Sequence, residues 1–415
     1  MRVLHTSDWH LGQKFLSQQN REAEEHAALA WLLDLIRAEA VDALLVTGDI
    51  FDVNNPPINA ERQYYNFLNQ LKTTTRCRHV VIIGGNHDSP LKLNAPRELL
   101  RAFDIHVVGS AAPSDALASE IIELKNPDGS VGALVAAVPF LRERDVALSV
   151  PGESVEERIA RVREGIRQHF ENVAALIQPA DNSGAQRPPV IATGHLFATG
   201  SSASEEQRNI YLGSQDHIRA DQFPALFDYV ALGHIHRGQK VGGQERVRYS
   251  GSLIPLSFSE AADRKMVLIV EVQAGQGLVS VQEIPAPTPR RLLHLTGTVA
   301  DVEAQLQAAN QPGEPLPAWA KVVLVGDDQP ADAKQRLHEI ARDLHIDILS
   351  VEIARRRSTL DEMDILTESL ADMTAQEVFL RRCQSEGLSD EATELLRGAF
   401  SELQEWMAQN PEKVK

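Results

Sequence analysis

Five continuously apolar runs constrain this chain more than any other feature: Val3-Leu4-His5, Ala43-Leu44-Leu45-Val46, Val80-Val81-Ile82-Ile83, Val190-Ile191-Ala192 and Tyr229-Val230-Ala231-Leu232. Short β-branched runs without polar alternation read as strands buried on both faces, which helices must then cover. One such helix is legible between the first two runs, where Ala28, Leu32, Leu35 and Ile36 share a face. From Val3 to about Ser280 the chain therefore reads as a layered α/β or α+β fold. Each run ends in a loop of distinctive chemistry: Asp8-Trp9-His10, Gly48-Asp49, Asn86-His87-Asp88, His195, and His234-Ile235-His236. In layered sheets the carboxyl ends of strands form the ligand crevice, so the five loops are expected to converge.

Aspartate, asparagine carbonyl and imidazole without thiolate suit hard-to-borderline divalent ions such as manganese, iron, magnesium or zinc. The spacing of Asp8 with His10, and of His234 with His236, would point both members of each pair the same way from an extended segment, each pair serving one side of a cluster. Glycines at 48, 84, 85, 194 and 233 are expected to let the chain turn beside each ligand. Of 14 histidines, five fall in these loops; a lone histidine elsewhere, such as His5 or His79, reads as an ordinary surface or core residue. Asp49 has a second reading as a helix cap.

The motifs D-x-H, G-D, G-N-H-[DE], G-H and G-H-x-H, in this order and each after an apolar strand, resemble the metallophosphoesterase superfamily. The segments Thr6–Gly12, Gly48–Asp52, Ala231–Arg237 and Tyr249–Phe258 are similar to its double-strand-break nuclease family. That resemblance implies a β-sandwich flanked by helices and two divalent metal ions, with manganese the expected ion. Asp8, His10, Asp49 and His236 would hold one ion; Asp49 as bridge, Asn86, His195 and His234 would hold the other. His87 would be the general acid, its ring oriented by Asp88. It further implies a metal-dependent DNA exonuclease and endonuclease that works as a homodimer with an SbcC-type coiled-coil ATPase. Some relatives carry a histidine three residues after the G-D aspartate, where this chain has Asp52.

The length, 415 residues, suggests more than one domain. Pro285, Pro287 and Pro289 mark a break between residues 1–284 and a small α/β unit at 285–353, which the resemblance implies are a nuclease domain and a capping domain. The latter runs strand (Leu292–Leu295), helix (Val302, Leu306), strand (Val322–Val325), helix (Leu337, Ile340), strand (Ile346–Ile353). Residues 354–415 read as a polar linker and a helical hairpin. In it, Thr374 and Glu377 form a capping box, and Leu395, Leu396, Ala399, Phe400, Leu403 and Trp406 form an apolar stripe that either packs back on this chain or docks onto a partner, as the resemblance implies. Residues 179–189 read as a polar loop, and Arg355-Arg356-Arg357 as solvated.

Fifty-eight acids against 41 bases give a net charge of −17, which argues against an extended grip on phosphates. Metal cations in the crevice would invert that field locally. Residues 353–415 carry 13 acids and eight bases, so −5 of the total falls in the partner-binding segment. Cys77 and Cys383 support neither a disulfide framework nor a zinc cluster. With no apolar leader at Met1–Asp8 and no run of 18 apolar residues, the expected location is the cytoplasm. Two competing readings of the metal site are a phosphatase or small-molecule phosphodiesterase, and a non-catalytic scaffold. The first is disfavoured by Asp52-Val53-Asn54, where protein phosphatases have Asp-Arg-Gly; the second by the completeness of the ligand set.

Overall fold

The computed structural model describes residues 1–16, 18–147, 150, 152–177, 186–199, 201, 218–325 and 330–353. The expected linker, helical hairpin, triple arginine and most of the 179–189 loop lie outside these residues. In chain order, β1 (Arg2–Thr6), α1 (Glu22–Ala38), β2 (Ala43–Thr47), α2 (Ile58–Thr74), β3 (His79–Ile83) and β4 (Ile105–Val108) form one parallel half-sheet with its helices. A second sheet takes β5 (Ile121–Lys125), β6 (Val131–Ala137), β7 (Val190–His195), β8 (Tyr229–Gly233), β9 (Gln239–Val241) and β10 (Gln244–Tyr249), with α3 (Val155–Leu176) between β6 and β7. The chain then returns to the first sheet as β11 (Met266–Gln273) and β12 (Gly277–Pro285), β11 pairing antiparallel with β1. The orders are β12-β11-β1-β2-β3-β4 and β9-β10-β8-β7-β6-β5.

Alternate residues of each apolar run serve different layers. Val3, Ala43, Leu45, Val81 and Ile83 meet Val135, Ala137, Ile191, Tyr229 and Ala231 between the two sheets. The intervening Leu4, Leu44, Val46, Val80 and Ile82 pack outward onto Leu32 and Ile36 of α1 and Phe67 and Leu71 of α2. On the opposite side, Ala192, Val230 and Leu232 pack onto Ile166, Phe170 and Val173 of α3. This is the predicted sandwich flanked by helices, and burial on both faces is why the runs show no polar alternation. α3 begins at Ser154, whose hydroxyl accepts from the Glu157 amide while Glu157 accepts from Ser154.

The third sheet, β13 (Leu292–Gly297), β14 (Ala318–Leu324) and β15 (Ile346–Ile353), carries α4 (Val299–Ala309) and α5 (Pro330–Ala341) around its own core of Val302, Leu306, Val322 and Leu337. The element order matches the expectation for 285–353. Its junction with the sandwich is a small buried cluster of Phe15, Phe258, Leu292 and Trp319. Residues 1–352 form one compact unit.

Candidate metal centre

β1, β2 and β3 are parallel neighbours in one sheet, β7 and β8 in the other, so their carboxyl ends open on one side. The loops after β1 and β2 run alongside each other: the amides of Asp8, His10 and Leu11 donate to the carbonyls of Gly48, Asp49 and Ile50, each at 3.0 Å. Asp8, His10 and Asp49 have φ of 51°, 47° and 49°, and His234 has 99°. These are costly conformations for non-glycine residues, of order 1–3 kcal/mol each, and they cluster where function constrains the chain. Asp8 and His10 are therefore not an extended odd-even pair; left-handed turns aim them.

Among the described residues, two of the side-chain groups spaced to grip an ion are Asp8 with His10 and His236, and Asp49 with His195 and His234. Asp49 lies between them: Oδ2 is 3.2 Å from His195 Nε2 and 3.5 Å from His10 Nε2. Asn86 Oδ1 lies 3.0 Å from both His195 Nε2 and His234 Nδ1. All seven predicted ligands are thus brought together. His234 and His236, however, fall in different groups, because the chain bends at His234 rather than running extended; the expectation that this pair serves one side is corrected.

The donor set fits divalent ions on a further observation. His10 Nε2 is buried without a hydrogen-bond partner, an arrangement that costs free energy unless something occupies it. Its Nδ1 is fixed by Asp52 Oδ1 at 3.0 Å, as expected for an imidazole presenting the other nitrogen to a cation. Burial opposes a charge on His10, but the Asp52 hydrogen bond and the carboxylates of Asp49, Asp52 and Asp8 outweigh it and raise its pKa to about 9. His195 is raised to about 9 in the same way, with Asp49 the main opposing influence. Burial works against the charge on Asp49 too, yet His195, His10 and His87 hold it well below the usual carboxylate range. The pocket is built to draw positive charge.

His87 donates its amide to Asp49 Oδ1 at 2.9 Å and pairs its Nδ1 with the carbonyl of Asp52 at 2.7 Å. Its ring stands edge-on to His10, 4.8 Å between centroids. Asp88 does not orient that ring: its buried carboxylate accepts from the amides of Ile50, Phe51 and Gly85, pinning the Asp49 loop to the Asn86 loop. The expected role fails because three main-chain donors compete successfully for its oxygens. Burial and the nearby Asp49 charge push Asp88 up to about 6.

Of the five glycines, Gly48 alone has a left-handed φ, 91°. Gly85 matters for closeness: a Cβ there would stand 2.1 Å from Asp49 Oδ1. Sequence reasoning missed Glu260 and Lys265. Glu260 Oε1 lies 2.9 Å from His236 Nδ1, and Oε2 accepts from Lys265 Nζ at 2.5 Å and from the Leu256 amide at 3.1 Å. Lys265 Nζ also donates to the His236 carbonyl at 2.8 Å. Neither lies in a motif; the nearest sequence signal was the family-like segment Tyr249–Phe258, which ends two residues before Glu260. Ser250 of that segment reaches Ser7 Oγ at 2.9 Å, and Ser7 Oγ donates to Asp8.

Residues 1–238 match the model of the calcineurin-like phosphoesterase family, and residues 288–387 that of the type 5 capsule protein repressor C-terminal domain. The second match begins near the proline break and runs past residue 353. The chain is 36% identical to the D subunit of the SbcCD nuclease of Escherichia coli K12, over 97% of each chain. It is 36% identical to the Rhodobacter capsulatus counterpart over 76% of this chain and 77% of that one. To the Bacillus subtilis counterpart it is 34% identical, over 66% and 67%. A family model spanning more than half of the sequence, and a relative matching it almost end to end, show that the chain belongs to the calcineurin-like phosphoesterases and, among them, to the D subunits of SbcCD nucleases.

Proposed function

We propose that this chain is a dimetal DNA nuclease subunit acting as a 3′-to-5′ exonuclease on duplex ends and an endonuclease on single strands and hairpins, in DNA end processing, replication and recombination. The observation that carries the reading is Asp49, one carboxylate within 3.2–3.5 Å of an imidazole from each of two ligand groups. Asp8, His10, Asp49 and His236 hold one ion; Asp49, Asn86, His195 and His234 hold the other; manganese is the expected occupant. Two divalent ions supply the Lewis acidity that phosphodiester hydrolysis requires. The protein's own part is orientation and proton supply. His87, held through Nδ1 by the Asp52 carbonyl, keeps Nε2 as the atom that gives a proton to the departing 3′-oxygen. Ser7, Asp52 and Glu260 fix Asp8, His10 and His236 before any substrate arrives.

The remaining assignments belong to the same reading. Residues 285–353 cap the crevice, and 354–415 engage a coiled-coil ATPase of the SbcC type in the cytoplasm. A homodimer has a suitable surface in Ile58, Leu91, Leu99 and Phe103, all exposed, at the start of α2 and the short helices after β3; Lys92 and Glu61 link these segments at 3.0 Å. The test is turnover by the purified chain with manganese on hairpin DNA and on nucleotide monoesters. Cleavage of the hairpin supports the nuclease; activity confined to monoesters supports the phosphatase instead.

A further inference from the structure

A cavity of about 690 Å³ has four arginines, Arg142, Arg144, Arg158 and Arg161, and two glutamates, Glu143 and Glu153, in its lining, in a chain of net charge −17. Two of the arginines are pre-oriented by the glutamates. Arg158 Nε donates to Glu143 at 2.7 Å, and Arg161 grips Glu153 through two bonds of 2.8 and 2.7 Å. Arg161 Nη1 nonetheless has no acceptor.

Arg142 is held differently. Its guanidinium lies over the Phe140 ring, 5.6 Å from the centroid, and has no ion-pair or hydrogen-bond acceptor among the described residues. The carboxylate that could have met it, Asp145, accepts instead from the Arg142 main-chain amide at 3.0 Å. Phe140 is itself fixed: its amide donates to Gly84 at 2.8 Å, and its ring stands edge-on to His195 at 6.2 Å. Stacking therefore holds a planar five-donor fork no more than about 12 Å from a predicted metal ligand, with its donors unspent. An oxyanion with several acceptor oxygens matches such a fork in both charge and geometry; a cationic ligand does not.

We propose that this cavity binds the sugar-phosphate backbone of the DNA strand flanking the scissile bond, with Arg142 making a phosphate contact. The proposal rests on the nuclease reading above and deepens it. It also modifies the expectation drawn from net charge: the acidic chain keeps a local basic footing next to its chemistry.

The test uses the full chain and its Arg142→Ala and Arg142→Lys variants. Binding of a labelled single-stranded oligonucleotide is followed by anisotropy across a salt series, and turnover is measured on hairpin DNA and on bis(p-nitrophenyl) phosphate. For Arg142→Ala we expect binding weakened several-fold, a salt slope shallower by about 0.7–0.9, and KM for DNA raised, with little change on the small diester. Arg142→Lys should restore the salt slope and part of the affinity. Unchanged DNA affinity and slope would overturn the proposal, as would an equal loss on the small diester. If the unsubstituted chain hydrolyses the small diester and never DNA, the nuclease reading fails first, and this one with it.

Discussion

His87 and Glu260 touch the site in opposite ways, and their substitutions should separate. His87 faces the crevice with Nδ1 committed to the Asp52 carbonyl, and in the proposed scheme it gives a proton without holding an ion. His87→Gln is expected to lower DNA cleavage by roughly 10²–10⁴ while bound manganese, counted by elemental analysis, stays at the wild-type ratio. Loss of metal in step with activity would make His87 a ligand. Glu260 is buried behind His236 and holds both the ring and, through Lys265, the main chain of that residue. Glu260→Ala should weaken metal affinity about 10–100-fold by equilibrium dialysis, with partial recovery in Glu260→Gln, which keeps an acceptor for the ring. Equal affinity in all three proteins would leave Glu260 with no part in positioning. The seven ligands and His87 were legible because each lies beside a glycine or another ligand in a short motif. Glu260 was not: it is 24 positions beyond its partner, in a turn whose spacing carries no chemistry of its own. Asp52 was visible only as a departure from relatives; that its carboxylate serves His10 and its carbonyl His87 needed coordinates.

The strands that carry ligands announced themselves by being apolar on both faces, and α1 by its stripe. Sequence reasoning singled out neither α2 nor α3, nor the meander of β5 and β6, because the long segments between the motifs offered no ligand to fix attention on their periodicity. α1 also does something its pattern concealed. Glu25, in its first turn, accepts from the Gly12 amide at 2.9 Å and from Gln63 of α2 at 3.0 Å, clamping the loop after His10 to two helices. Burial pushes the Glu25 carboxyl up to about 7, the Gly12, Gln63 and Arg21 contacts only partly offsetting it. A carboxyl raised above its ordinary value binds more protons folded than unfolded between the two pKa values. Its contribution to stability therefore declines as pH rises from about 4.5 to 7. Glu25→Gln removes the charge, and its amide can donate to Gln63 Oε1, which now lacks a partner. Relative to wild type, the variant should gain roughly 2 kcal/mol between pH 4.5 and 8 in urea titrations; a difference that stays flat with pH would show that Glu25 is ionised throughout.

At the scale of the whole molecule, the small third sheet has its own core, yet its attachment is built from groups that are costly to bury apart. Arg290 pairs with Glu24 of α1 at 2.8 Å, donates to the Pro317 carbonyl at 2.6 Å, and lies over the Trp319 ring at 4.1 Å. Glu24 is shared with Arg21, which lies over Phe15; Phe15 in turn meets Phe258 and Trp319 at 5.1 and 5.3 Å. The cluster adjoins two loops that serve the same ligand group of the metal centre, since Phe15 follows the His10 loop and Phe258 opens the short turn that ends in Glu260, the partner of His236. Removing Arg290 leaves Glu24 paired with Arg21 but with Oε1 buried and unsatisfied, costing about 1–3 kcal/mol, and removing a buried tryptophan opens a large void, costing about 3–5 kcal/mol. Both costs fall on the junction and not on the interior of either part. In the unsubstituted protein, residues 1–352 should accordingly melt in one calorimetric transition with the cap sheet included. Arg290→Ala combined with Trp319→Ala should split it, the sheet of residues 292–353 unfolding at lower temperature while the sandwich keeps its own midpoint. Metal affinity should fall with the first transition, because the packing that steadies Phe15 and Phe258 goes with it. A double variant that still melts in a single step, merely shifted downward, would mean that the cap is held by contacts other than this cluster and that the cluster does not tie it to the metal-binding loops.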